Sequence, residues 1–226
     1  MSSRFSVVCF DQRGAGHSTP IRGPFRLEQW VDDLGALIDA LSLDGPVHLA
    51  GVALGSAIAV RFTALRPERV ASLVLCCPAL NVSLERKTYL TRRAALVETE
   101  GMSAIVDDTL AKSFPPVLNF DRAGFEAYRT RYLEADPASY AAINRAFVAF
   151  DVRPDLKSVR CPALVLGGIH DLLRPPAEVN DVAAGIASAK CVFLPSGHIM
   201  PYQTPDALAR EMNAFYDEVL IPRAAE

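Results

Sequence analysis

Gly51-Val52-Ala53-Leu54-Gly55 stands between a strand-like run, Pro46-Val47-His48-Leu49-Ala50, and a helix-like run, Ser56-Ala57-Ile58-Ala59-Val60-Arg61-Phe62-Thr63-Ala64. A Gly-x-x-x-Gly frame at a strand-to-helix turn is the frame of a nucleophile elbow. Such a turn holds its central residue at strained backbone angles, and small residues at 51 and 55 let strand and helix pack closely. The central residue of an active elbow carries a nucleophile. Here it is Ala53, whose methyl group cannot attack anything.

Outward from the elbow the pattern alternates. Residues 5–10 read as a short buried strand, followed by the glycine-bearing loop Asp11-Gln12-Arg13-Gly14-Ala15-Gly16-His17-Ser18. That loop has neither the third glycine of a dinucleotide fingerprint nor the Lys-Ser/Thr of a P-loop. Residues 27–43 place Leu27, Trp30, Val31, Leu34, Leu37, Ile38 and Leu41 at helical spacing. Past the elbow, Arg66-Pro67 ends the helix and residues 70–77 form a second buried strand. Residues 161–168 and 190–195 read as two more strands, with helices predicted over 176–187 and 205–220. Alternation of this kind predicts a mostly parallel sheet with helices on both faces.

The segment 81–158 breaks the alternation. Helices are expected over 91–100, 102–112, 123–135 and 138–150, interrupted at Phe114-Pro115-Pro116 and Asp136-Pro137. The sequence therefore predicts a core from residues 1–80 and 159–226, with a helical lid inserted at 81–158.

Bulk properties narrow the partners. With 226 residues, 50% hydrophobic and 22% charged, the chain suits a single packed domain and excludes disorder. A net charge of −3 gives no reason to expect nucleic acid or an anionic membrane. No apolar run approaches the length that crosses a bilayer. The five cysteines, Cys9, Cys76, Cys77, Cys161 and Cys191, form no Cys-x-x-Cys and read as buried reduced thiols. With no signal-peptide order at the start, the expectation is a cytoplasmic protein.

Three positions fall at predicted carboxyl ends of strands, where open α/β sheets gather their chemistry: 53, 171 and 198. A nucleophile position, then Asp, then His is the chain order of the α/β-hydrolase fold. The sequence resembles that superfamily over nearly its whole length, and within it is most similar to the 3-oxoadipate enol-lactonase group. The matching stretches are Asp11 to Ser18, Gly51 to Gly55, Arg66 to Cys76, Gly168 to Pro176, and Gly197-His198 with Pro205 beyond. Gly101-Met102 and Asp136-Pro137-Ala138-Ser139-Tyr140 extend the likeness into the lid.

The resemblance implies that Asp171 is the triad acid, His198 the triad base and the Leu54 N–H an oxyanion donor. It implies a small ester or lactone as substrate, carboxylate-bearing ones among them, with no metal and no organic cofactor. Two departures follow. Ala53 replaces the nucleophilic Ser, and the strands and His-Gly loop that the family carries before residues 5–10 are not in this sequence. The fold is therefore expected as an N-terminally truncated α/β-hydrolase, impaired or inactive in hydrolysis.

Two other readings stay open. One is a non-catalytic binder of a small ligand or partner; the other is a lyase or decarboxylase using His198 and Asp171 for proton transfer without a covalent step. Ser56, the nearest hydroxyl, is expected to point away from the elbow. His48 is expected in the core and His17 in a loop role. Of Arg92, Arg93, Arg129 and Arg131, most are expected as solvated charges on lid helices.

Overall fold

The computed structural model describes residues 4–118 and 121–220. In chain order it forms α1 (Leu27–Ala40), β1 (Val47–Val52), α2 (Leu54–Leu65) and β2 (Val70–Cys76). Four helices follow, α3 (Leu84–Glu100), α4 (Ser103–Ser113), α5 (Arg122–Leu133) and α6 (Pro137–Ala149). The alternation then resumes with β3 (Ala163–Gly168), α7 (Pro176–Ala184), β4 (Ala189–Leu194), α8 (Met200–Gln203) and α9 (Pro205–Leu220). The four strands are all parallel and lie in sequence order, β1-β2-β3-β4.

The period of two along β2 and β3 sorts the core onto two faces. Leu73, Leu75, Ala163 and Val165 pack with Trp30, Val31 and Ile38 of α1, Val60 and Phe62 of α2, and Val179 of α7. Val74, Cys76, Leu164 and Leu166 face the other way, onto Phe215 and Tyr216 of α9. Both faces are thus covered by helices, as a parallel sheet requires. On α1 the predicted stripe is buried at Leu27, Trp30, Val31, Leu34 and Ile38, while Leu41 lies beyond the helix end and is exposed.

Residues 5–10 are not a strand. No backbone hydrogen bond among the described residues joins them to β1, and Val7, Val8 and Phe10 are about half exposed. A strand exists by its ladder, and this segment has none. Phe5 is held at one end, with its ring 5.9 Å from His48 and 5.0 Å from Tyr216. Farther along, a groove of about 450 Å3 runs between Phe10, Asp11 and Gln12 on one wall and Leu49 to Leu54 on the other. Among the described residues, β1 is therefore an edge strand.

The helices α3–α6 occupy the stretch where the sequence places a lid. Of the four lid arginines Arg93 is the buried exception, at 7% exposure. Its guanidinium donates to the hydroxyls of Tyr89, Tyr132 and Tyr140 at 2.8–2.9 Å, and also contacts Thr109 and Asp108. Arg93 thereby ties α3, α4, α5 and α6 together. Burial works against its charge, but the surrounding tyrosine oxygens hold its pKa above the usual value.

Candidate active site

The elbow is formed as the Gly-x-x-x-Gly frame predicts. Ala53 has φ 50° and ψ −112°, a region that residues with a Cβ rarely enter. Three backbone hydrogen bonds lock it there. Its N–H donates to Cys76 O at 2.9 Å, and its carbonyl accepts from Ser56 N at 3.0 Å and Ala79 N at 3.2 Å. At Gly51 the reason for glycine is contact: a Cβ there would lie 2.4 Å from Gly55 O. Gly55 itself departs from the expectation of close packing on both sides, since a Cβ there would meet nothing within 4 Å. Gly55 lines the groove beside β1, on the side where β1 has no partner strand.

Ser56 is fully buried and its hydroxyl donates to Gly51 O at 2.9 Å, so it braces the turn from within. Leu54 opens α2, and its N–H is among the first four of the helix, which have no acceptor inside the helix. His48 accepts or donates at Nδ1 with the Ser72 hydroxyl at 2.7 Å, and burial lowers its pKa. The exposed His17 has its backbone N–H on Asp11 Oδ2 at 3.0 Å, within the turn of the 11–18 loop.

At the other end of the sheet, Asp171 follows β3 and His198 follows β4. His198 Nδ1 lies 2.8 Å from Asp171 Oδ2, and both residues are buried. The second carboxylate oxygen, Oδ1, accepts from Leu173 N at 2.7 Å and Arg174 N at 2.9 Å. One carboxylate thus folds its own turn with one oxygen and orients an imidazole with the other. Burial opposes ionisation of Asp171, yet the hydrogen bonds and charge of His198, with the backbone N–H groups, keep its pKa below the ordinary carboxylate value.

The loop bearing His198 is fixed from a third direction. Gln203 Oε1 accepts from Gly197 N at 2.9 Å and from the Ser196 hydroxyl at 3.3 Å, while its Nε2 donates to Ser113 O at 2.7 Å. That chain links the His198 loop to the last turn of α4.

Sequence reading missed Cys77. It directly follows β2 with φ 45°, and its sulfur lies 3.8 Å from Gly197 O. The ligand atoms of Cys77, Asp171 and His198 lie within 4.8 Å of one another. Burial and the adjacent Asp171 push the Cys77 thiol far up, and burial pushes Cys76 up to about 12. Neither is a thiolate near neutral pH, and the thiolate is the nucleophilic form. The signal for Cys77 was its place: it follows β2 directly, as Ala53, Asp171 and His198 follow the other three strands. Backbone contacts join these ends, through Ala53 N to Cys76 O, Cys77 N to Leu166 O and His170 N to Ser196 O.

Comparison with known proteins agrees with this architecture. The solved structure of a thermophilic esterase from Thermogutta terrifontis superposes with a TM-score of 0.84 at 29% identity, over 92% of this chain and 78% of that one. The enol-lactonase from Burkholderia xenovorans LB400 gives a TM-score of 0.83 at 29% identity, over 92% and 79%. In sequence, 3-oxoadipate enol-lactonase 2 of Acinetobacter baylyi is 26% identical over 212 residues, covering 93% of this chain and 78% of the relative. No helix among the described residues is long and apolar enough to cross a membrane. The profile of the family described as serine aminopeptidase, S33, matches residues 2–194, and the chain belongs to that α/β-hydrolase family.

Proposed function

We propose that this chain is a hydrolase scaffold for small carboxylic esters or lactones in which the covalent step is lost at Ala53. The observation that carries this reading is Ala53 itself, a non-glycine residue held at φ 50° on a strand-to-helix turn. Nothing in its side chain requires that conformation, and a serine there is placed for attack. In the lineage's chemistry, residue 53 attacks the acyl carbon, His198 takes the proton and returns it to the leaving group, and Asp171 orients the imidazole. The Leu54 N–H faces the developing oxyanion. The helices α3–α6 act as the lid over residues 1–80 and 159–226, anchored to the His198 loop through Gln203.

Without a hydroxyl at 53, no acyl-enzyme forms. Loss of the triad serine costs about a million-fold in turnover in subtilisin. The His198–Asp171 pair at 2.8 Å favours one second reading, general-base chemistry on a bound carbonyl compound without a covalent intermediate.

The test compares the chain with Ala53→Ser, using a fluorophosphonate probe and the hydrolysis of p-nitrophenyl acetate and a simple lactone. The chain as it stands is expected to remain unlabelled. Ala53→Ser is expected to label at residue 53 and to hydrolyse both substrates. Labelling of the unsubstituted chain overturns the loss of the nucleophile. A folded Ala53→Ser that neither labels nor turns over leaves the binding role in place of the hydrolytic lineage.

A further inference from the structure

A second cavity, about 320 Å3, lies between the turn after β2, the start of α3 and α7, and neither Ala53 nor His198 lines it. Its lining includes Arg86, Arg153 and Arg174 against Glu178 and Asp181. Three guanidinium groups on one small cavity need anions, and the protein supplies them unevenly.

Arg153 is matched by Asp151 at 2.6 Å. Arg86 and Arg174 share a single carboxylate oxygen: Glu178 Oε2 lies 2.9 Å from Arg174 Nη1 and 3.5 Å from Arg86 Nη1. Asp181 is exposed and takes part in no ion pair among the described residues.

Arg174 is the deepest of the three, at 5% exposure. A guanidinium offers five N–H donors. Among the described residues only Nη1 of Arg174 has an acceptor, and the Phe147 ring covers its Cζ at 5.5 Å. Nε and Nη2 have none, yet neither is sealed away from space without a partner. Burial pulls the Arg174 pKa below its usual value and repulsion from Arg86 adds to this, against the opposing pull of Glu178 and Asp171.

We propose that this cavity is a binding site for a small oxyanion, a carboxylate or phosphate group bridging Arg174 and Arg86. A planar fork of donors suits either group through paired hydrogen bonds. The site also has a route to the candidate active site. The Arg174 backbone N–H donates to Asp171 Oδ1 at 2.9 Å, so a ligand that draws on Arg174 bears on the carboxylate that orients His198.

The experiment titrates the full chain with inorganic phosphate and, separately, with succinate, at ionic strength held constant with chloride. Calorimetry and amide chemical shifts are the readouts. Saturable binding is expected, with shifts at Arg174, Asp171 and His198. Whichever of the two anions binds more tightly names the source of the oxyanion.

Arg86→Gln removes a partly exposed donor without unpairing a buried charge, and is expected to weaken binding about 10- to 100-fold. Arg153→Gln, whose charge Asp151 already neutralises, is expected to bind as the parent does. Three results overturn the proposal: no saturation with either anion, an unchanged affinity in Arg86→Gln, or equal weakening in Arg86→Gln and Arg153→Gln.

Discussion

At the β3–β4 side of the candidate site, both oxygens of Asp171 are engaged, one by two backbone N–H groups and the other by His198. At the β1 side, Ala53 holds a strained conformation with no functional group to present, and Gly55 beside it opens onto a groove. The two sides persist for different physical reasons. Asp171 and His198 satisfy one another in a buried place, where an unpaired partner is expensive whether or not a nucleophile exists. Ala53 has no such bond in its side chain. Its conformation is imposed by Cys76, Ser56 and Ala79 through the backbone, with no help from its own side chain.

The sharpest way to break this contrast is at the glycines of the elbow. A Cβ on Gly51 meets the Gly55 carbonyl oxygen at 2.4 Å and its carbon at 2.5 Å, both backbone atoms that cannot rotate away. Gly51→Ala is expected to cost about 3 kcal/mol, the upper end for overpacking. Gly55→Ala meets nothing and gains helix propensity in the first turn of α2, so it is expected to be neutral or to stabilise by up to about 1 kcal/mol. Urea unfolding of both variants checks this, and equal losses would show that the groove beside Gly55 is not open.

The second effect belongs to the acid. Asp171→Asn keeps an acceptor for Leu173 N and Arg174 N, but can set an amide N–H against His198. A loss of about 2 kcal/mol at neutral pH is expected, as for a buried hydrogen bond spoiled on one side. The pH dependence has a fixed sign. The folded pKa of Asp171 lies below its unfolded value, so its contribution is full above an unfolded pKa of about 3.9 and fades as pH falls through the folded pKa. Parent and Asp171→Asn should therefore converge in stability in that acid range. A gap that stays constant down through it would mean that the Asp171 carboxylate carries no stabilising charge.

These particulars also mark what the sequence could reveal. Helix α9 matches its predicted span, 205–220, because a strong apolar stripe begins at a proline and packs on one face of the sheet. The strand-to-helix turn at Ala53 and the pairing of Asp171 with His198 could be anticipated, because both lie in the short loops that follow strands in chain order. The strand expected at 5–10 failed because apolar alternation is a property of the segment, whereas a ladder needs a partner beside it. Arg93 is the exception among the four lid arginines for a similar reason. Its buried site is assembled by tyrosines from three helices, up to 47 residues away, and no local pattern announces that. Cys77 passed as one more apolar strand residue, since only the pairing of β2 with β3 brings it beside Asp171.

The smallest expected effect addresses the strain directly. Ala53 sits at φ 50° with no polar side chain to compensate, and backbone strain of this kind costs on the order of 1 kcal/mol or more for a residue with a Cβ. Glycine occupies positive φ freely, although it also gains entropy in the unfolded chain, which offsets roughly 0.5–1 kcal/mol of the relief. Ala53→Gly is thus expected to stabilise the protein slightly, by about 1 kcal/mol at most, with a rise in Tm of about 2–4 °C for a chain of this size. Ala53→Ser should leave Tm near the parent's, since serine keeps the Cβ and its strain. The pair separates two accounts of the elbow. If Ala53→Gly stabilises and Ala53→Ser does not, the turn stores strain that only a nucleophile would justify. If Ala53→Gly instead lowers Tm by several degrees, the Ala53 methyl is making contacts of its own, and the β1 side is packed for a purpose other than presenting a reacting atom.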